Sequence, residues 1–271
     1  MIIVDSIGIT DVGCKRSGNE DNFFVSDPLG LYIVADGMGG HQAGEVASEI
    51  VVETIKSYIE QFSTGDDPEE IDEYDETLSD NANRLIGAIK LANKSVFRIS
   101  QTKKECRGMG STVSAIWFTD DSFIAANVGD SPIYYIHGDS IELLSVPHTV
   151  MAEQSAMASD SEIVIDKKYS HMLTRGMGIH EEVSADICEN QCFKKNFFVI
   201  CSDGLSDKVS PDEIHTIVCS NKPDLAATRL VDLAKDRGGE DNITVIILRV
   251  KKVRHNNSGG PIAWFLDKFG I

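Results

Sequence analysis

Apolar residues fall along the chain in two rhythms. Ala43, Ala47, Ile50, Val51, Ile55, Tyr58, Ile59 and Phe62 recur at i, i+3, i+4, i+7, which predicts an amphipathic helix with one core face. Ala82, Leu85, Ile86, Ile89, Ala92, Val96 and Ile99 repeat that period, so a second helix over 82–99 is expected to pack against the first and over a sheet. Two further helices are expected near 211–219 and 224–236, the latter with Asp224 as N-cap.

The other rhythm is the short apolar run. Residues 2–9, Phe23–Val25, Leu31–Ala35, Ser111–Phe118, Phe123–Val128, Ile133–Ile136, Ile141–Leu144, Phe197–Ser202 and 242–250 all read as strands. Their close spacing favours antiparallel pairing, because a parallel crossover needs a dozen or more residues. Helices, then a meander, then helices and a last strand predict a layered α+β fold with helices outside the sheets.

Several of these runs end in the same way. The strand Leu31-Tyr32-Ile33-Val34-Ala35 closes on Asp36-Gly37-Met38-Gly39-Gly40, Phe123–Val128 closes on Gly129-Asp130-Ser131, and Phe197–Ser202 closes on Asp203-Gly204. Asp241 stands just before the last strand, in Gly-Gly-Glu-Asp-Asn-Ile-Thr-Val. A carboxylate at one strand tip is ordinary; four suggest a shared site. Such acids repel one another at close range unless protonated or neutralised. Hard divalent ions with oxygen ligands, Mn²⁺ or Mg²⁺, are the natural neutralisers, and the Gly37 carbonyl is a further oxygen donor. Two ions can activate a water and clamp a phosphoryl group. Arg16, the cation beside the acid-rich Ser17-Gly18-Asn19-Glu20-Asp21-Asn22, can bind two phosphate oxygens at once. Together these residues point to a phosphoesterase.

Composition narrows the partners. The formal charge of −18 argues against nucleic acid, whose phosphates reward Lys and Arg. Nine acids and no Lys or Arg fall between residues 64 and 80, which reads as a solvated, self-repelling insertion. The six cysteines form no CxxC pair, and Cys188 with Cys192 lacks the histidines of a zinc site. No secretory pattern opens the chain and no apolar run reaches the ~20 residues of a membrane span, so a reducing cytoplasm is expected. There is no GxxxxGK[ST], HExxH or GxSxG. His41, after the glycine turn, reads as a bystander. Residues 146–181 are weakly periodic and are the candidate mobile segment over the site. The expected organisation is a catalytic domain over 1–253, followed by a flexible linker and short amphipathic tail over 254–271, with Ile262, Phe265, Leu266 and Phe269 on one face.

In order along the chain, Arg16-x-x-Asn19-Glu20-Asp21-Asn22, Asp36-Gly37-Met38-Gly39-Gly40, Gly110-Ser111-Thr112, Gly129-Asp130-Ser131, Thr174-Arg175-Gly176-Met177-Gly178, Ser202-Asp203-Gly204-Leu205 and Glu240-Asp241-Asn242-Ile243-Thr244 resemble the motifs of the metal-dependent Ser/Thr protein phosphatases (type 2C, or PPM). The Asp-Gly-Met-Gly-Gly-His form is similar to the bacterial branch. The resemblance covers about residues 5–250. It implies a four-layer α/β/β/α sandwich, two antiparallel sheets with helix pairs outside, and two Mn²⁺ or Mg²⁺ ions between the sheets. It implies that Asp36 bridges both ions and Gly37 offers its carbonyl to one. Asp203 and Asp241 would hold the other, with Glu20 reaching it directly or through water. Asp130 with Asp203 would match a third, looser site, and Arg16 would orient the phosphate. The implied function is hydrolysis of phosphoserine and phosphothreonine in proteins by a metal-activated water, opposing a cognate Ser/Thr kinase. A non-catalytic regulatory module of the same fold is the alternative, and a phosphatase for small metabolites is a third reading. Three positions depart from the pattern: Met38 stands where animal members carry His, Pro132 where members carry Arg, and Pro147 where they carry Asp.

Overall fold

A computed structural model describes residues 2–39, 43–64, 74–120, 122–157 and 172–253. The expectations for Gly40, His41, residues 65–73 of the acidic block, segment 158–171 and the tail 254–271 lie outside the described residues.

Two antiparallel sheets carry the structure. The first runs β1 (Ile2–Asp11), β11 (Ile243–Val253), β10 (Phe197–Cys201), β7 (Ile133–His137), β8 (Ser140–Leu143). The second runs β2 (Asp21–Ser26), β3 (Leu31–Met38), β5 (Val113–Phe118), β6 (Ser122–Val128), β9 (Asp186–Gln191), with the two-residue β4 (Gly110–Ser111) paired to the tip of β3. Helices α1 (Ala43–Thr64) and α2 (Asp80–Thr102) cover the second sheet. Helices α5 (Pro211–Ser220) and α6 (Pro223–Asp236) cover the first. Also described are two short helices, α3 (Val150–Met157) and α4 (Asp203–Ser206), and a single 3-10 turn at Lys104–Cys106.

The burial pattern explains why the strands read as unbroken apolar runs. Side chains alternate across a strand, and here both faces are covered. Leu31, Ile33 and Ala35 of β3 pack under α1 and α2, while Tyr32 and Val34 face the other sheet. In β11, Ile243, Val245 and Ile247 pack under α5 and α6, while Ile246, Leu248 and Val250 turn inward. Three apolar layers therefore separate four layers of secondary structure, the expected α/β/β/α sandwich.

Helix ends follow local chemistry. Ser79 caps α2, accepting the Ala82 N–H, and Ser210 with Glu213 forms a capping box on α5. The expected cap on α6 is displaced. Lys222 occupies the cap position and Pro223 the first helical one, so Asp224 sits inside the first turn, where its charge suits the helix dipole. The expected strand 111–118 breaks at Thr112, because Gly110 and Ser111 pair with the Met38–Gly37 tip while Val113 onward continues the main sheet. Strand β9 has few apolar residues and forms by pairing with β6, from Ser122↔Gln191 to Asn127↔Asp186. Here the sheet edge overrides a weak local preference.

Candidate active site

The strand tips meet at one end of the sandwich. Glu20, Asp36, Gly37, Asp130, Asp203, Asp241 and Arg16 all line a single cavity of about 460 Å³. Each of the five acids keeps part of its surface open. Every residue expected at the site on sequence grounds is thus brought together, from both sheets and the loops between them.

The local construction is tight. A Cβ on Gly37 would lie 2.1 Å from the Gly44 carbonyl oxygen, and one on Gly204 would lie 2.0 Å from that of Asn242. Only glycine lets these backbones approach so closely. The Gly37 N–H donates to the Glu20 carbonyl (3.1 Å), locking the Glu20 loop to the β3 tip. Asn242, buried, receives the Glu20 N–H on Oδ1 (2.8 Å) and donates from Nδ2 to the carbonyls of Val12 (3.0 Å) and Gly18 (2.9 Å). One amide therefore ties the Arg16–Glu20 loop to the Asp241 loop. Arg16 Nη2 donates to Asp241 Oδ2 at 2.8 Å.

Asp21 was not singled out from the sequence, yet it lies at the centre. It pairs with Asp36 across β2 and β3. Its Oδ2 accepts from Ser202 Oγ (2.8 Å) and Thr244 Oγ1 (2.6 Å) on the opposite sheet, while its buried Oδ1 has no hydrogen-bond partner. Burial pushes the Asp21 carboxyl up to about 6, against the lowering effect of the two hydroxyls and with Asp203 and Asp241 adding repulsion. The Asp36 carboxyl is raised well above its ordinary range, first by burial and then by the charges of Asp21, Asp203, Asp241 and Asp130. Glu20 is also raised, mainly by burial.

These facts test the fit of the implied ions. The donors are all oxygens, the carboxylates repel each other, and Asp21 Oδ1 is buried without a hydrogen-bond partner, which suits hard divalent cations. Among the described residues no three acids already form a closed ion cage. Arg16, which lines the cavity together with Arg175, holds an Asp241 oxygen instead.

The departures at Pro132 and Pro147 leave the Asp130 turn well held. Asn127 pairs its amide with both backbone groups of Val146 (Nδ2 to O, 2.8 Å; N–H to Oδ1, 3.1 Å). Ser145 Oγ accepts the Ile133 N–H (3.0 Å), and Ser131 bonds Thr112 and Ser114. Met38 lines the cavity beside Asp36, so no imidazole stands at that position.

The two-sheet sandwich is shared with bacterial serine/threonine phosphatases of known structure. The catalytic domain of the serine/threonine protein phosphatase PstP, in complex with two manganese ions, superposes with a TM-score of 0.78 at 26% identity, covering 93% of this chain and all of that one. In sequence, the chain is 31% identical over 248 residues to the serine/threonine phosphatase stp of Listeria innocua, covering 88% of this chain and 93% of that protein. It is 29% identical over 252 residues to protein phosphatase PhpP of Streptococcus pneumoniae, covering 90% and 96%. The family model described as Protein phosphatase 2C matches residues 15–232. The chain belongs to the protein phosphatase 2C family, the Mn²⁺/Mg²⁺-dependent serine/threonine protein phosphatases. No described helix is long and apolar enough to cross a membrane.

Proposed function

We propose that residues 1–253 form a catalytic domain that removes phosphate from phosphoserine and phosphothreonine in proteins. The observation that carries this reading is the convergence of Glu20, Asp36, Asp130, Asp203 and Asp241 on one cavity with Arg16 at its rim. Asp36 and the Gly37 carbonyl would hold one ion, and Asp36, Asp203 and Asp241 the other, with Glu20 close by. Asp130 and Asp203 would hold a third. When bound, the ions supply an activated water for attack on phosphorus. Arg16 would exchange Asp241 for the substrate's phosphate, since a guanidinium can present two N–H groups to two phosphate oxygens. Met38 carries no proton, so the side chain at that position does not protonate the leaving oxygen.

The test is hydrolysis of a phosphothreonine peptide with Mn²⁺, with EDTA as control and Asp203→Asn as the variant. Turnover that survives EDTA, or survives the substitution, would refute the assignment. The substrates would be the targets of a cognate Ser/Thr kinase, which a phosphoproteome comparison of cells with and without the protein would identify. A reducing cytoplasm suits the six cysteines, all free in the structure. Residues 254–271 are proposed to be a linker and tail dispensable for peptide turnover, which deletion checks directly.

A further inference from the structure

His148 is fully buried and clasps one residue twice. Its backbone N–H donates to the Gly129 carbonyl (3.0 Å), and its Nδ1 accepts the Gly129 N–H (3.0 Å). A ring nitrogen that accepts a backbone N–H carries no proton, so the ring is the neutral Nε2–H tautomer. Nε2 then donates to Asp186 Oδ2 at 2.7 Å. Asp186, at the start of β9, is held in turn by Arg175 Nη2 (3.2 Å), and the Arg175 Nη1 reaches the Ser184 carbonyl (3.3 Å).

The relay Arg175–Asp186–His148 therefore ends on the residue just before Asp130. Gly129 stands at φ +107°, and a Cβ there would lie 2.6 Å from the Thr112 side chain. Its backbone is in a conformation that other residues rarely adopt, and its buried N–H has the imidazole as acceptor. The far end of the relay returns to the same cavity, since Arg175 and Thr174 line it beside Asp130. The Thr174 N–H also donates to the His148 carbonyl (2.9 Å), so His148 is anchored on both sides.

We propose that His148 is a positioning residue for Asp130, acting through Gly129, with Asp186 and Arg175 fixing its tautomer and ring plane. The physical logic is that of an outer-shell partner: a carboxylate at an ion site binds well only when its backbone is held in one orientation. A buried hydroxyl would satisfy the Gly129 N–H, but it would leave the turn free to rotate. An imidazole bonded at both nitrogens does not. The proposal rests on the reading of Asp130 as a ligand of the third, looser ion.

The test is Mn²⁺ titration of the full chain, following free Mn²⁺ by electron paramagnetic resonance, with thermal unfolding in EDTA measured alongside. The variants are Asp130→Asn, His148→Ala and His148→Asn. His148→Ala is expected to weaken the loosest Mn²⁺ step ~10-fold and leave the tighter steps unchanged. His148→Asn, whose Oδ1 can take the place of Nδ1 as acceptor, is expected to recover most of that loss. Weakening of the loosest step by Asp130→Asn but not by His148→Ala overturns the positioning role alone. Equal weakening of every step by His148→Ala, tracking its lost stability, overturns it too. An intact loosest step in Asp130→Asn removes the ligand reading and the proposal with it. Should His148→Ala fail to fold, Asp186→Asn at the partly exposed end of the relay is expected to weaken the same step more mildly; no change there overturns the proposal.

Discussion

The layer between the two sheets is made of one set of strands and two kinds of interior. At one end lie Tyr32, Phe118, Phe123 and Phe198, with ring centroids 4.7–5.8 Å apart in edge-on contacts. At the other end lie Asp21, Asp36, Ser202, Thr244 and Asn242. Stepping by two residues along each strand passes from the first to the second: Tyr32, Val34, Asp36 in β3; Val25, Phe23, Asp21 in β2; Phe198 and Ile200 in β10, then Ser202 just past its end; Leu248, Ile246 and Thr244 in β11, then Asn242 just before its start. The alternation that builds the core therefore also aims the chemistry. The dry end gains from burial, while the acid end is held against its own repulsion by that gain.

Breaking the acid end is expected to have the largest effect on turnover. Asp36→Asn should lower phosphothreonine peptide hydrolysis ~1,000-fold, an effect of several kcal/mol on the transition state. Its unfolding in EDTA should be no easier than that of the parent, because a repelled carboxylate has been removed. A loss of turnover smaller than ~10-fold would contradict the placing of Asp36 at the centre of the site.

Breaking the dry end should do the reverse. Phe198 is fully buried and touches the rings of Phe118, Phe123 and Tyr135. Phe198→Ala should cost about 3–5 kcal/mol in urea unfolding while leaving Mn²⁺-dependent turnover per folded molecule little changed. If the two readouts fell together, the ends would not be separable.

That separation is why much of the fold was legible from the sequence. Strands buried on both faces read as apolar runs, and an abrupt closing aspartate stands out against them, as at Asp36, Asp130 and Asp203. Asp21 escaped because it opens its strand instead of closing one, although Val25, Phe23 and Asp21 repeat the same stepping in the opposite chain direction. The His148–Asp186 pair escaped for a different reason. Its members are 38 residues apart, and Asp186 lies in a strand whose Glu, Asn and Gln carry no apolar signal. Such pairs are created by sheet closure and leave no local pattern.

The pH dependence of the metal-free protein sharpens the contrast at intermediate scale. Asp21 has its folded carboxyl raised to about 6, so the folded state binds a proton that the unfolded chain at ~3.9 releases. Stability from this group is therefore greatest below the unfolded value and is lost as pH rises through about 6. In EDTA, Asp21 alone should cost the protein about 1 kcal/mol between pH 5 and pH 7, and about 3 kcal/mol over the whole range. Asp36 is shifted in the same direction, whereas His148, held below its ordinary value chiefly by burial, works in the opposite sense as pH falls. Subtracting the curve of Asp21→Asn from that of the parent gives the Asp21 contribution together with its coupling to Asp36. A flat difference curve would mean the carboxyl is not charged against its surroundings.

The smallest effect probes the border between the two interiors. Thr244 is buried one step from Ile246, and its hydroxyl donates to Asp21 and lies 2.7 Å from Thr10 Oγ1. Thr244→Val keeps the shape and moves the apolar layer one position towards the acids. Thr10 keeps the Asn19 Nδ2 donor (2.8 Å) and, being exposed, can turn to water the proton it gave to Thr244, so the uncompensated loss falls on Asp21, which keeps only Ser202. A hydrogen bond to a charged group is worth about 1.5–3 kcal/mol, and the added methyl offsets part of it, leaving a net loss of about 1 kcal/mol at pH 7 in EDTA. The same change should raise the Asp21 midpoint further, because a donor that favours the charged form has gone. At low pH, where Asp21 is protonated, the penalty should shrink towards zero. A loss independent of pH would locate the cost in packing and would move the border of the acid end beyond Thr244.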